Sequence, residues 1–118
     1  MNFKAPKLRV GFVLAPRFTA TAFSGFVDTL RLAADEGDRS RPLECTWSVL
    51  GKIGEPITSS CGVAVQPWEN LDEPERFDYI VVVGGLLHGG QKVPARLNKF
   101  LQKAVDKNIP LVGLCTGS

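Results

Sequence analysis

The sequence predicts an α/β domain: a mostly parallel sheet with helices on both faces. Three observations carry that prediction. Residues 78–83 (Asp-Tyr-Ile-Val-Val-Val) form a nearly continuous apolar run, the pattern of a strand buried on both faces as in parallel sheets. Stretches with apolar residues spaced by three and four alternate with β-rich runs, which is the order of β-α-β units. Finally, Leu111, Val112, Gly113 and Leu114 read as a buried parallel strand that empties into Cys115, Thr116, Gly117 and Ser118.

Taken in order, the first strand covers residues 8–14 (Leu-Arg-Val-Gly-Phe-Val-Leu). Pro16 cannot continue a central ladder, so residues 15–19 are a strand-to-helix loop. A helix then starts with Thr19 or Thr21 as N-cap. Its buried stripe is Phe23, Phe26, Val27, Leu30, Ala33 and Ala34, its wet face Ser24, Asp28, Arg31 and Asp35, and Gly37 is its C-cap. Residues 44–50 alternate in polarity, as in a strand near a sheet edge. Residues 51–60 are punctuated by Gly51, Gly54 and Pro56 and read as a loop, followed by a short extended segment at 63–65. The acidic stretch 72–75 allows at most one helical turn. After the strand at 78–83 come Gly84 and Gly85, a loop holding His88, and a helix with Pro94 in its first turn. That helix has the stripe Leu97, Phe100, Leu101, Ala104 and Val105, faces water with Lys99, Lys103 and Lys107, and closes at Asn108.

Composition narrows the function classes. With 118 residues the chain is one domain at most, and 44% hydrophobic and 22% charged residues are those of a globular protein. A net charge of +2 gives no argument for contact with nucleic acid or a membrane surface by this segment. No apolar stretch approaches the roughly 20 residues of a membrane span, and no signal-peptide core is present, so the reading is cytoplasmic. Three cysteines without a C-x-x-C pair indicate neither a disulfide framework nor a metal site, and no cofactor is expected. Cys45 and Cys61 are read as buried small hydrophobes.

Gly113, Cys115 and Gly117 have the spacing of a nucleophile elbow, G-x-S-x-G with cysteine as the central residue. In such an elbow the turn leaves no room for Cβ atoms at the flanking positions. Amide groups opening a following helix would lower the thiol pKa, and the N–H groups of Thr116 and of Gly85 or Leu86 are available as oxyanion donors. Cys115 is thus a latent nucleophile. The same position could equally be the floor of a pocket that only binds. His88, the single histidine, reads as a loop residue that is exposed or lines the pocket rim. Residues 15–23 contain no Asp or Glu to hold or tune the thiol. No P-loop and no G-x-G-x-x-G follows the first strand, which disfavours nucleotide binding. In open α/β sheets ligands sit beyond the carboxyl ends of the strands, where residues 15–20, 84–90 and 115–118 converge.

The strand ending in Val83-Gly84-Gly85, the helix after it and the Leu-Val-Gly-Leu-Cys-Thr-Gly elbow resemble the ThiJ/PfpI branch of the class I glutamine amidotransferase-like superfamily. More narrowly, residues 23–33, the Ser59-Ser60-Cys61-Gly62-Val63 segment and the Cys-Thr-Gly elbow are similar to the sensor half of AraC-type transcription regulators. The resemblance implies a flavodoxin-like three-layer sandwich, of which residues 1–118 are the N-terminal part of a sensor domain. That fold is incomplete because the chain ends at the elbow. Hydrolase-type members hold the cysteine with a Glu after the first strand. That position falls at Ala22 or a near neighbour here, and no acid stands there. Isocyanide-hydrating relatives use a first-loop Asp, equally missing. The implied function is small-molecule sensing, with the effector (an amino acid or amine) near Thr19, Gly84, Gly85, Leu86, Cys115 and Thr116. DNA would be reached only through a C-terminal helix-turn-helix domain outside this chain, in a homodimer. The alternative is a cysteine-dependent hydrolase, hydratase or deglycase.

Overall fold

A computed structural model describes residues 8–34, 45–84 and 95–114. Along the chain lie β1 (Leu8–Leu14), α1 (Ala20–Ala34), β2 (Cys45–Leu50), β3 (Ile57–Thr58), β4 (Ala64–Val65), a 3-10 turn (Pro74–Arg76), β5 (Tyr79–Val83), α2 (Ala95–Asp106) and β6 (Leu111–Leu114). Four strands make one sheet in the order β2-β1-β5-β6, and all three neighbouring pairs are parallel. Counting only strands of that sheet, the order is 2-1-3-4, the flavodoxin-like order, with its reversal between β1 and β5. The expected mostly parallel α/β sheet is therefore present.

Alternation along the strands divides the interior in two. Val10, Phe12, Leu14, Val49, Val81 and Val83 face α1, where Phe23, Phe26, Val27 and Leu30 close over them. Val13, Leu50 and Ile80 face the other way, against Leu97, Phe100 and Ala104 of α2 and Phe77 ahead of β5. Each helix contributes one apolar stripe to one side, so the sheet is the middle layer of a three-layer sandwich.

Helix ends follow local chemistry. Thr19 is the N-cap of α1: its carbonyl accepts the first helical bond, from the Phe23 N–H at 3.2 Å. Asn108 ends α2 in the left-handed conformation (φ 61°). The N–H of Asn108 donates to Val105 O and that of Ile109 to Ala104 O, the paired bonds of a Schellman cap, and Ile109 packs on the α2 core. Gly37, Asp35, Pro94 and the side chains of Ala33 and Ala34 lie outside the described residues.

Several expectations need correction. Val105, placed in the α2 stripe, is 52% exposed. The buried positions Leu97, Phe100 and Ala104 follow a spacing of three and four that leaves Val105 turned past the edge of the contact. Among the described residues the β6 run alternates rather than being buried throughout, with Leu111 and Gly113 exposed and Val112 and Leu114 packed toward α1. Residues 57–58, read as loop, pair antiparallel with β4, while Val63 is exposed ahead of it.

At the amino ends of β1 and β5, Arg9 and Asp78 lock the register. Arg9 N–H donates to Asp78 Oδ2 at 2.8 Å, Asp78 N–H returns a bond to Arg9 O at 2.8 Å, and Arg9 Nε lies 3.4 Å from Oδ2. The Arg9 backbone donor, then its guanidinium, hold the Asp78 carboxyl below the usual carboxylate range. A depressed folded pKa stabilises above the unfolded value of about 3.9 and is lost as pH falls through the folded value. Asp78→Asn is expected to cost roughly 0.5–1 kcal/mol near pH 7 after solvent screening. Urea unfolding at stepped pH should show the gap to wild type closing below about pH 4.

Candidate functional site

The topological switch between β1 and β5 sets where a site can form, because the connections from these strands leave in opposite directions and open a crevice at their carboxyl ends. Residues 15–19, leaving β1, form its wall and are fixed by four backbone bonds. On one side Ala15 N–H donates to Val83 O at 3.0 Å and Thr19 N–H to Gly84 O at 3.1 Å. On the other, Arg17 N–H donates to Thr58 O at 2.8 Å and Ser60 N–H to Phe18 O at 2.9 Å. Beneath the loop, Phe18 is buried and edge-on to Phe23 (centroids 5.9 Å, 83°), and Phe23 is edge-on to Phe12 (5.4 Å, 84°). The wall is therefore rigid. Gly84 N–H donates in turn to Leu114 O at 3.0 Å, which ties β5 to the end of β6.

Of the residues singled out from the sequence, Thr19 and Gly84 are brought together by their mutual hydrogen bond at the strand ends. Gly85, Leu86, His88, Cys115, Thr116 and Gly117 lie outside the described residues. Among the described residues, a Cβ at Gly113 would meet no atom within 4 Å, and the elbow turn on which its steric argument rests lies outside them.

Sequence reasoning missed the β3–β4 hairpin as a neighbour of the loop, and with it Cys61. Cys61 is exposed rather than buried, at a tight turn where Gly62 takes φ 94°. Ser59 organises that turn: its N–H donates to Val63 O, its Oγ accepts from Val63 N–H at 3.1 Å, and Oγ and Cys61 Sγ are 3.2 Å apart. The Ser59 hydroxyl and then the Val63 backbone pull the Cys61 thiol below its ordinary pKa. Cys45 is buried as expected, and burial pushes its thiol up. The Ser-Ser-Cys-Gly run was the available signal, since a tight turn presents its side chains outward. Iodoacetamide at pH 7.5 is expected to label Cys61 on the order of tenfold faster than Cys45 or more, read by peptide mass spectrometry. Equal rates would contradict the placement.

No three His, Cys, Asp or Glu side chains among the described residues stand together as metal ligands, and no described helix is long and apolar enough to cross a membrane. Beside the switch point, on the α2 side, a cavity of about 320 Å³ opens at the carboxyl ends of β1 and β2.

A flavodoxin-like parallel sheet with a pinned first loop at its switch point defines an open α/β domain. The model of the DJ-1/PfpI family matches residues 8–118. The chain belongs to that family. It is similar to the HTH-type transcriptional regulator CdhR of Pseudomonas aeruginosa, at 31% identity over 107 residues, covering 91% of this chain and 30% of the regulator. Among solved structures it resembles an AraC family transcriptional regulator from Pseudomonas putida (TM-score 0.65, 22% identity, 90% of this chain and 63% of that one). It also resembles a DJ-1 superfamily protein from Agrobacterium tumefaciens (TM-score 0.65, 21% identity, 92% and 53%). At these identities the two solved structures speak for the fold. The chain thus spans under a third of the curated regulator and between half and two thirds of the two solved relatives.

Proposed function

We propose that this chain is the small-molecule-sensing part of a transcription regulator, with the effector bound at the carboxyl ends of the strands around Thr19, Gly84, Gly85, Leu86, Cys115 and Thr116. The observation that carries the reading is the first loop. Between residues 15 and 23 there is no carboxyl group, so this loop and the first turn of α1 offer no acid partner for a thiol. A cysteine nucleophile needs such a partner, or an equivalent base, to form its thiolate at neutral pH. A binding pocket does not. Similarity to an HTH-type transcriptional regulator, of which this chain covers 30%, supports the same conclusion. On this reading residues 1–118 are the N-terminal part of the sensor domain, the protein acts as a cytoplasmic homodimer, and a helix-turn-helix region elsewhere in the intact protein contacts DNA.

Effector binding would act by shifting the dimer between two arrangements and so changing DNA affinity, by about fivefold or more for a working switch. The test is fluorescence anisotropy of operator DNA with the intact protein, titrated with amino acids and quaternary amines. An effector that moves DNA affinity supports the reading. Intact protein without a helix-turn-helix region overturns it. A Cys115 alkylation midpoint well below the ordinary value of about 8.5 would favour the hydrolase, hydratase or deglycase alternative instead.

A further inference from the structure

The cavity on the α2 side of the first loop has its own chemistry. Its floor is apolar, with Val13 from β1, Leu50 from β2 and Leu97 from α2. Its polar lining holds Arg17, Lys52 and Arg96 against a single carboxylate, Glu55, which leaves two positive charges in excess. Glu55 is shared: Lys52 Nζ lies 3.2 Å from one of its oxygens, and Arg96 Nη2 donates to the other at 2.8 Å. That bridge fixes two cations from different parts of the chain at one side of the cavity. Arg17 has no carboxylate partner among the described residues, and its backbone is left-handed at φ 61°. This conformation costs a non-glycine residue on the order of 1 kcal/mol and persists where the surroundings over-determine it. Here the bond from Arg17 N–H to Thr58 O holds it. A strained backbone thus carries an unneutralised guanidinium to the lining of an apolar cavity.

We propose that this cavity binds a small carboxylate with an aliphatic body, the carboxylate meeting Arg17 and the Lys52–Arg96 pair and the body lying on Val13, Leu50 and Leu97. A volume of about 320 Å³ is at the lower end of ligand pockets, enough for a short-chain acid. The guanidinium fork matches the two oxygens of a carboxylate. An amine would meet two uncompensated positive charges, and an alcohol would leave them unpaired. The site stands independently of the regulator reading, since it is defined and tested by direct binding with no DNA readout.

The test is isothermal titration calorimetry of the intact protein with hexanoate, hexylamine and hexan-1-ol at equal ionic strength. Hexanoate is expected to give a saturable heat, with the amine and the alcohol giving none. Arg17→Gln should weaken hexanoate about tenfold to a hundredfold, the range for losing one charge-assisted hydrogen bond. If Arg17→Gln disturbs the loop, seen by circular dichroism, Arg96→Gln on the exposed start of α2 replaces it, and a several-fold loss is expected. Absence of saturable hexanoate binding, equal binding of the amine or the alcohol, or an unchanged dissociation constant in the folded variant would each overturn the proposal.

Discussion

Phe12→Ala is expected to lower folding stability by about 3–5 kcal/mol, the range for removing a large aromatic side chain from a packed interior. Phe12 is 0% exposed, at the centre of β1, and it meets two rings of α1 edge-on: Phe23 at 5.4 Å and Phe26 at 5.7 Å. These contacts hold the first two turns of the helix against the sheet. Phe23 also touches Phe18, so the same deletion should loosen the loop whose backbone closes over the strand ends. The measurement is urea unfolding followed by tryptophan fluorescence, with Phe12→Leu as the control. Leu refills most of the volume, and its loss should fall well below that of Ala. Equal losses for the two variants would show that the site collapses freely, contrary to the packing described.

Gly11→Ala should act on the opposite face of the same strand. A Cβ at residue 11 would lie 2.9 Å from Leu50 Cδ1, 3.1 Å from Ile80 Cδ1 and 3.2 Å from Phe77 Cδ2. All three side chains are buried in the packed interior. One added methyl is expected to cost about 1–3 kcal/mol by overpacking, read in the same unfolding experiment. An increase in stability, the usual gain from replacing a flexible glycine, would contradict the close approach. The adjacent residues make a pair: Phe12 fills the α1 side of the sheet, and Gly11 leaves room on the α2 side for groups brought by β2, β5 and the segment ahead of β5.

That pair also shows what could be read from the chain beforehand. A glycine inside a β-rich run signals a close approach. Which atoms approach is decided by residues 39 to 69 positions away, and no local pattern contains them. The helices were legible because amphipathic periodicity is a local property, and α1 and α2 appear where their stripes end in Thr19 and Asn108. Val105 was misplaced for the converse reason: whether a residue at the margin of a stripe is covered depends on the width of the partner surface. Cys61 was misread because burial was assigned by residue type, while the hairpin turn at Ser59–Gly62 directs its side chain outward.

The candidate site divides along the same line. Its position at the strand ends follows from the parallel order of elements, and the Gly-Cys-Gly spacing marked the end of the last strand. The pinning of the first loop by Val83, Gly84, Thr58 and Ser60 did not follow, since a two-stranded hairpin of two-residue strands carries almost no periodic signal. Nor did the cationic cavity, whose charged residues come from the β1 loop, the segment after β2 and the start of α2. By itself the sequence determined the fold class, the alternation of strands and helices, and the absence of an acid from the first loop, because these depend on composition and short-range spacing. Only the tertiary structure decided which strand faces are covered, which thiol is exposed and where Arg17, Lys52, Glu55 and Arg96 meet, because such contacts join residues distant in sequence through the packing of the sheet.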